Sequence, residues 1–426
     1  MPVPGPEPVD IKILHRKVPL IGQFVMYACL MKNRALKYRI YPDRKQQEIF
    51  EKTFGCCRFV YNQMLTVQEE LHKEGKKHLG KFDSFKYMTA HLKTSYEWLR
   101  EVDSQALMNA VFDLEKGYQR FFSGKGGHPV YKSKRHGRRS FTTGIVNGNI
   151  AVCDDAIKLP KSGLVRARIH RPVPEGWKLK SATVSEASDG TFYCSLLYEI
   201  EEAEKTEETA AASVMIQKGV TGAGDESIHT LGLDYKSDGL YADSEGNLCH
   251  APKYYRDSQR KLARLQRKAS KKQGSRRGEK ASSNYRKALR KVSKLQHHTA
   301  NQRKDFLHKE SLRIANSVDI VCVEDLDMKA MSKRSKKIRN GKATLDNGYG
   351  MFLTFLSYKL EDRGKRLIKV DMWYPSSQIC SSCGARRKIM LSERTYKCCA
   401  FGKETDRDIN AAVNIRNEGI RLLRGA

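Results

Sequence analysis

The segment that decides the fold of the second half of the chain is Thr-Leu-Gly-Leu-Asp at residues 230–234. It is typical of a short apolar β-strand that ends on a carboxylate. Residues 239–241, Gly-Leu-Tyr, follow closely and predict an antiparallel return strand. A second buried strand is predicted within residues 319–326, Asp-Ile-Val-Cys-Val-Glu-Asp-Leu, and it also ends on acidic residues. Two such strands favour a mixed sheet in an α/β domain.

A third acidic segment opens a helix near the C-terminus. Residues 406–415, Asp-Arg-Asp-Ile-Asn-Ala-Ala-Val-Asn-Ile, place acids in the first helical turn. In this helix Ile409, Val413 and Ile420 are expected to face the core. Taken alone, an acid after a strand is usually a turn residue, and an acid at a helix start is more often a cap.

The three acidic segments predict a function only when they are considered together. Acids at two strand ends and one helix start can meet at one edge of a sheet, where they would repel one another at neutral pH. Divalent cations relieve such repulsion, and Mg²⁺ suits a site made of oxygen ligands. Two ions roughly 3.5–4 Å apart support phosphodiester hydrolysis, so the pattern predicts a two-metal site.

The composition points to a polyanionic partner. The 426 residues include 79 Lys and Arg against 48 Asp and Glu, a net charge of +31. Such an excess favours nucleic acid binding. No run of 18 apolar residues occurs, which argues against a membrane protein.

The strongest positive charge lies between residues 251 and 304, where 19 Lys and Arg face two acids. Leu262, Leu265 and Ala269 mark one helical stripe, and Tyr285, Leu289 and Val292 mark another, so a basic helical hairpin with a turn at 273–278 is expected. A solvated helix pair is the plainer interpretation, but so one-sided a charge requires phosphate nearby. The expected nucleic-acid-binding residues are Arg260, Lys261, Arg264, Arg267, Lys268, Lys271, Lys272, Arg286, Lys287, Arg290 and Lys291.

Four of the eleven cysteines crowd into the C-terminal region. Cys380, Cys383, Cys398 and Cys399 lie within twenty residues of one another. Paired spacing of this kind indicates a metal site and not a disulfide framework.

The N-terminal half has a different pattern. Residues 1–30 are an atypical extension, either an export signal or sequence upstream of a natural start at Met31. Alternation predicts a strand from Met31, helical spacing fills 43–120, and short strands are expected over 150–200. Residues 201–228 are acidic and then rich in Ala and Gly, which suggests a linker. Residues 118–141 interleave aromatic and basic side chains, which suits nucleic acid or, equally, a solvated loop over a small aromatic core.

These segments, in this order, resemble TnpB, the RNA-guided endonuclease family of insertion sequences and the ancestor of type V CRISPR nucleases. The strings that carry the resemblance are Leu-Gly-Leu-Asp-Tyr at 231–235, Val-Glu-Asp-Leu at 323–326, Gln-Ile-Cys-Ser-Ser-Cys-Gly at 378–384 and Asp-Arg-Asp-Ile-Asn-Ala-Ala at 406–412.

The resemblance runs from about Met31 to the C-terminus and implies a fold. It implies an RNase H-like (RuvC) nuclease core at 229–426 with an inserted zinc-ribbon-like knuckle at 376–404. It also implies an N-terminal wedge-like β-barrel with a helical recognition insert at 31–200. By the same resemblance the catalytic, Mg²⁺-holding residues are Asp234, Glu324 and Asp408, whereas Asp325, Asp371 and Asp406 are structural.

The cysteine ribbon departs from the four-cysteine pattern. Cys380, Cys383 and Cys398 keep their places, but Phe401 stands where the fourth zinc ligand belongs. Water or Cys399 could complete the site, so weakened Zn²⁺ binding is expected.

The function implied is an RNA-guided, Mg²⁺-dependent DNA endonuclease that cuts next to a short flanking motif. Its partners would be guide RNA and target DNA, with no membrane, in the prokaryotic cytoplasm near the nucleoid and not secreted. Two alternatives stay open: a non-cutting or decayed nucleic-acid-binding protein of a mobile element, and a transposase with an RNase H-like core.

Overall fold

The computed structural model describes residues 31–134, 137–201, 228–272, 282–332, 346–390, 393–398 and 400–424. The predictions for the extension at 1–30, for nearly all of the linker and for the turn of the basic hairpin lie outside these residues. Cys399 lies outside them as well.

The described chain begins with the long strand β1 (Met31–Ile40). It pairs antiparallel with β7 (Phe192–Glu201) over its whole length, from Met31 opposite Glu201 to Ile40 opposite Phe192. Leu36, Tyr38 and Ile40 alternate into the core, so the strand predicted at this position is confirmed.

Seven strands form the N-terminal sheet, in the order β2-β6-β7-β1-β5-β4-β3. Among the described residues, no pairing joins its two outer strands, so the predicted barrel is wrong as a closed structure. One outer strand has only two residues, too few to bridge the gap. The other strands of this sheet are β2 (Arg139–Gly144), β3 (Ala151–Val152), β4 (Ala156–Leu159), β5 (Gly163–Arg168) and β6 (Lys178–Glu186).

Helices pack against this sheet, as the periodicity of residues 43–120 predicts. The first, α1 (Arg44–Lys73), starts at a capping box between Asp43 and Gln46. Its Phe50 and Phe54 rings pack against Phe141 of β2. The remaining helical elements of this half are α2 (Lys81–Tyr87), a π-helical turn (Met88–Leu92), α3 (Lys93–Ser95), a 3-10 turn (Glu97–Arg100) and the long helix α4 (Ser104–Phe122).

The second half is built on a five-stranded mixed sheet in the order β10-β9-β8-β11-β12. The central strands run parallel and β9 returns antiparallel to β8, which confirms the predicted hairpin. The bounds are β8 (Thr230–Tyr235), β9 (Tyr241–Asp243), β10 (Leu248–Cys249), β11 (Ile320–Glu324) and β12 (Arg366–Val370).

Side chains alternate between the two faces of this sheet. Leu231 and Leu233 of β8 join Val321 and Val323 of β11 in a core with the helices that follow. Residues of the opposite parity, such as Cys322, pack instead toward the C-terminal helix α9 (Arg407–Arg424). The helices on the first face include α6 (Ser283–Ser317) and α8 (Tyr349–Glu361).

The basic hairpin is formed by α5 (Tyr254–Ser270) and α6, which pack through Leu262, Ala269 and Val292. Its second helix continues to Ser317 and so runs beyond the predicted end at 304. It also reaches the N-terminal sheet, where His297 Nδ1 lies 2.6 Å from Asp189 Oδ2. The short helix α7 (Met328–Ser332) and a two-stranded ribbon, β13 (Thr395–Lys397) and β14 (Glu404–Asp406), complete the described elements.

In the described ranges, no helix is both long enough and apolar enough to span a bilayer.

Candidate functional site

The strand register places two of the predicted acids side by side. Val323 of β11 is opposite Leu233 of β8 in the parallel ladder, so the next residues, Glu324 and Asp234, are lateral neighbours. Adjacent strands are about 4.8 Å apart, and residues at matched positions point to the same face. Asp234 has the parity of Gly232, and Glu324 has the parity of Cys322. Both acids therefore belong to the sheet face that α9 covers.

The third acid, Asp408, is buried in the first turn of α9. Asp406 caps this helix, because its Oδ1 accepts the backbone N–H groups of Asp408 at 2.8 Å and Ile409 at 3.2 Å. The capping role agrees with the structural role expected for Asp406. It also fixes the direction in which the first turn approaches the sheet.

The approach of α9 to the sheet is unusually close, and glycine makes it possible. A Cβ on Gly232 would lie 2.0 Å from the carbonyl oxygen of Ala412, and a Cβ on Gly419 would lie 2.2 Å from Cys322 Sγ. Small residues let the two backbones meet at Gly232 and Ala412. Asp234 lies two residues after Gly232 on the same strand face, and Asp408 lies one turn before Ala412 on the same helix face. The close contact between the two backbones therefore brings the two carboxylates toward each other.

The predicted core face of α9 is wrong. Ile409, Val413 and Ile420 are only half-buried, whereas Ala411, Ala412 and Ile415 are buried with Asn410 and Asn414. Large aliphatic side chains near Gly232 and Gly419 would hold the helix off the sheet, so apart from Ile415 the contact face is made of small and amide side chains.

The surroundings shift the pKa of each acid, and the other two acids contribute to the shift of Asp234. Burial, with the charges of Glu324 and Asp408, holds the pKa of Asp234 well above its ordinary value. Burial also raises the pKa of Glu324, against a 2.6 Å hydrogen bond from the Ser376 hydroxyl. Burial alone would raise the pKa of Asp408, but hydrogen bonding to Lys236 lowers it.

Two cations at this site were missed by the prediction from sequence. Lys236 Nζ lies 2.6 Å from Asp408 Oδ2, and Arg407 Nη2 lies 3.3 Å from its Oδ1. Position 236 has the same parity as Asp234, a signal that could have found the lysine. Together they neutralise Asp408 in the metal-free protein.

The remaining acids of these segments make local contacts. Asp325 Oδ1 lies 2.7 Å from Lys369 Nζ, and Asp371 Oδ1 accepts the backbone N–H of Trp373 at 2.7 Å. Neither contact involves the three acids above, in keeping with the structural roles expected of them.

The donor set fits divalent cations, although the three acids do not form a tight cage. In the part of the chain that the structure describes, the one set of three metal-type side chains with all ligand atoms within 4.8 Å of one another is a cysteine trio. The three carboxylates are thus more widely spaced than the ligand atoms of that trio. Carboxylate oxygens are ligands that suit hard divalent cations.

The cysteine trio is Cys380, Cys383 and Cys398. Cys383 and Cys398 approach to 3.6 Å between sulfur atoms. Both knuckles keep a glycine with positive φ, Gly384 at 74° and Gly402 at 66°. Three thiolates with one open position can hold zinc, so the residues present fit the ion with one ligand fewer than a closed structural site.

Phe401 leaves that fourth position open. Its ring is 74% exposed, while its backbone N–H still points at Cys398 Sγ, 3.4 Å away. This backbone hydrogen bond lowers the pKa of the Cys398 thiol. The Phe401 backbone therefore contacts Cys398, while its side chain supplies no ligand.

Two asparagines, which the sequence analysis left without a role, connect the ribbon to the acids. Asn414 Nδ2 donates to the carbonyl oxygens of Ser376 and Ile379, both at 2.7 Å. Asn410 Nδ2 donates to the same Ile379 oxygen at 2.7 Å, and its Oδ1 accepts from the Ser381 N–H at 2.9 Å. Since Ser376 also donates to Glu324, helix, ribbon and carboxylate are held by one network.

The basic residues predicted on the hairpin all point to solvent. The eleven side chains from Arg260 to Lys272 and from Arg286 to Lys291 named above are exposed. Leu289 is also 40% exposed and does not belong to the buried stripe predicted for it. The surface is free to meet phosphate.

Three family models match parts of this chain. Residues 349–415 match the family described as "Cas12f1-like, TNB domain", residues 31–77 match "Helix-turn-helix domain", and residues 196–335 match "Probable transposase" of the IS605 OrfB type. A protein of Streptomyces pristinaespiralis named "Putative RNA-guided DNA endonuclease" is 32% identical over 91% of this chain and 89% of its own length. The chain belongs to the TnpB family.

A second relative and a solved structure also match nearly the full length of this chain. "Putative RNA-guided DNA endonuclease InsQ" of Escherichia coli K12 is 29% identical over 92% of this chain and 93% of its own. Among solved structures, a Cas12f1–sgRNA–target DNA complex has a TM-score of 0.54 and 13% identity, and covers 91% of this chain and 99% of that one. That likeness supports the fold, and the family expected from the motifs is confirmed.

Proposed function

We propose that this TnpB-family chain is an RNA-guided, Mg²⁺-dependent DNA endonuclease that cuts target DNA next to a short flanking motif. The observation that carries the proposal is the face of the sheet on which Asp234, Glu324 and Asp408 gather under α9. The names of the relatives from Streptomyces pristinaespiralis and Escherichia coli support the same activity.

The three acids have distinct tasks in this proposal. Asp234 and Glu324 would hold the ions and Asp408 would complete the site; ions bound there supply an activated water and charge stabilisation of the leaving oxygen. Ser376 orients Glu324 through its 2.6 Å hydrogen bond. Lys236 keeps Asp408 ionised and in place until substrate and cations arrive.

Sequence recognition would be divided between RNA and protein. Guide RNA pairs with the target, and the protein reads the flanking motif and the shape of the heteroduplex. The basic hairpin would line the channel for these strands, because the basic side chains of its described residues are exposed. Cys380, Cys383 and Cys398 would hold Zn²⁺ with reduced affinity. A protein that cuts DNA with a guide RNA would act in the prokaryotic cytoplasm, at the nucleoid.

The test compares two adjacent acids. The chain is purified with the RNA that accompanies it, that RNA is sequenced, and cleavage of DNA carrying the matching target is measured with Mg²⁺ and with EDTA. Asp234→Ala and Glu324→Ala are expected to abolish cleavage while RNA still copurifies. Asp325→Ala, which removes an exposed acid next to Glu324, is the matched control and should cut normally. Unchanged cleavage by Asp234→Ala would defeat the site assignment.

One family match favours a second candidate, since residues 196–335 match a transposase description. A transposase with an RNase H-like core also uses three acids. A strand-transfer assay with the element's ends separates the two: joined product without added RNA supports the transposase, and RNA-dependent cuts without joining support the endonuclease.

A further inference from the structure

The aromatic and basic segment at residues 118–141 is split by the fold into two parts. Phe141 is buried in the core against Phe50 and Phe54, so it meets no ligand. Phe121 and Phe122, at the end of α4, are instead 38% and 68% exposed. They border a cavity of about 300 Å³ between the C-terminal ends of α1 and α4, at the lower end of the size range for ligand pockets (~300–1,000 Å³).

The cavity is walled by aromatic rings in mutual contact. His78 meets Tyr118 edge to face at 4.6 Å between ring centroids, and Tyr118 and Phe122 stack at 5.9 Å with their planes 20° apart. His128 closes the far side against Tyr118 at 5.5 Å and against Phe121 at 5.2 Å. Such walls offer both faces and edges to a flat heteroaromatic ring.

One polar atom in this wall is unsatisfied. His78 Nε2 is buried, and within the described ranges of the chain no atom hydrogen-bonds to it. Burying a polar group without a partner costs free energy, and a ligand with a donor or acceptor on its ring edge would remove that cost. An imidazole nitrogen can serve as donor or acceptor according to its tautomer, so it suits the mixed edge of a nucleobase.

The pocket is built before any ligand arrives, and its rim is basic. The buried Gln68 amide grips the backbone of Leu79, donating to its carbonyl at 2.9 Å and accepting from its N–H at 3.0 Å, which fixes the loop that carries His78. His72, Lys73 and Lys76 also line the opening. The lining acid Glu69 already accepts a hydrogen bond from the Tyr131 hydroxyl at 2.8 Å. The aromatic rings inside the cavity suit a nucleobase, and the basic side chains at its opening suit the phosphates attached to that base.

We infer that this cavity binds an unpaired nucleobase of the RNA that the protein carries, with the base stacked on Phe122 and hydrogen-bonded to His78 Nε2. Proteins read single-stranded RNA by stacking splayed bases on aromatic side chains. The site goes beyond the proposed cleavage activity, since it contains none of the three acids and requires only that the protein binds RNA.

The first experiment uses the full chain with its copurifying RNA. Ultraviolet crosslinking and mass spectrometry are expected to find nucleotide adducts on the peptide that contains residues 118–128. The same adducts are expected in the Asp234→Ala variant, so loss of cleavage does not affect this readout. Absence of adducts on that peptide, with adducts present elsewhere on the chain, would overturn the inference.

The second experiment measures base stacking directly with a 20-nucleotide oligoadenylate RNA that contains one 2-aminopurine. Phe122→Ala should weaken the binding reported by 2-aminopurine quenching roughly 5- to 150-fold. His78→Phe keeps the ring and removes Nε2, and should weaken it roughly 2- to 10-fold. The matched control is Phe82→Ala on α2, which removes a ring of nearly the same exposure, 69%, from outside the cavity.

The outcomes separate the possible sources of the base. Weak binding by Phe122→Ala with normal binding by Phe82→Ala, and equal thermal melting of both, supports the pocket. Equal effects of the two substitutions overturn it. The oligodeoxyadenylate of the same length is the second arm: if Phe122→Ala weakens DNA and not RNA, the assignment to RNA is wrong.

Discussion

The closest backbone contact around the acids gives a sharp prediction for Gly232→Ala. An added Cβ would lie 2.0 Å from the Ala412 carbonyl oxygen and 2.8 Å from Arg416 Cβ, whereas ordinary contacts begin near 3.4 Å. The obstacle is the backbone of a helix, which no side-chain rotation can move aside. We expect α9 to shift from the sheet by roughly 1 Å or more.

The shift has two measurable costs. Overpacking a core of this kind typically costs about 1–3 kcal/mol of unfolding free energy, and a rigid backbone obstacle belongs at the upper end. Because α9 carries Asp408, the displacement also moves one acid away from Asp234 and Glu324. A misplacement of about 1 Å is worth on the order of 10²-fold in rate, so cleavage should fall by about that factor.

Gly55→Ala is the matched control, because it makes the same change inside helix α1, where nothing lies within 4 Å of the added carbon. A glycine in a helix interior is about 0.5–1 kcal/mol less favourable than alanine, so this variant should be more stable than the parent and cut normally. The same Gly→Ala substitution is thus expected to lower the free energy of unfolding at position 232 and to raise it at position 55.

Both variants are compared by urea unfolding, by hydrogen exchange of the β8 and α9 amides, and by single-turnover cleavage. Gly232→Ala should speed exchange in these two elements, while Gly55→Ala should leave them unchanged. If Gly232→Ala unfolds and cuts like the parent, the close contact between β8 and α9 does not exist and the derived placement of Asp408 fails with it.

Three further predictions follow from the site. Phe401→Cys supplies the missing fourth thiolate, so zinc content by metal analysis and the melting temperature should both rise; a full equivalent of zinc in the parent would contradict this. Because the folded-state pKa of Asp234 is raised, its contribution to stability is lost as pH rises through that pKa. Asp234→Asn should therefore melt higher than the metal-free parent at neutral pH and lose the stabilisation by Mg²⁺, and a lower melting temperature than the parent would refute the repulsion. Asn414→Leu removes the amide donor of the Ser376 carbonyl oxygen and one of the two donors of the Ile379 carbonyl oxygen, and should cost about 1–3 kcal/mol, whereas the exposed Asn417→Leu should be neutral in the same denaturant titration.

Local patterns were enough to predict most elements of this chain. Alternation at β1, the apolar strands that end at Asp234 and Glu324, and the helix that opens at Asp408 depend on side-chain period and on neighbours in sequence, which the sequence contains directly. The family resemblance rests on the same strings. The chain also revealed its net charge and its missing cysteine ligand, since both are properties of composition and spacing.

Other features of the fold and of the site depend on packing between distant parts of the chain, and only the tertiary structure decided them. The closed barrel failed because the two outer strands, β2 and β3, do not pair with each other among the described residues, although they follow one another in the chain. The hairpin helix ran to Ser317 because its later turns pack on the sheet. The face of α9 was mistaken because Ile409, Val413 and Ile420 were expected inside, whereas the close approach at Gly232 and Gly419 favours small side chains, with Ile415 as the buried aliphatic residue. Lys236 reaches Asp408 across 172 positions of sequence, and only the folded chain brings that ammonium group to the carboxylate.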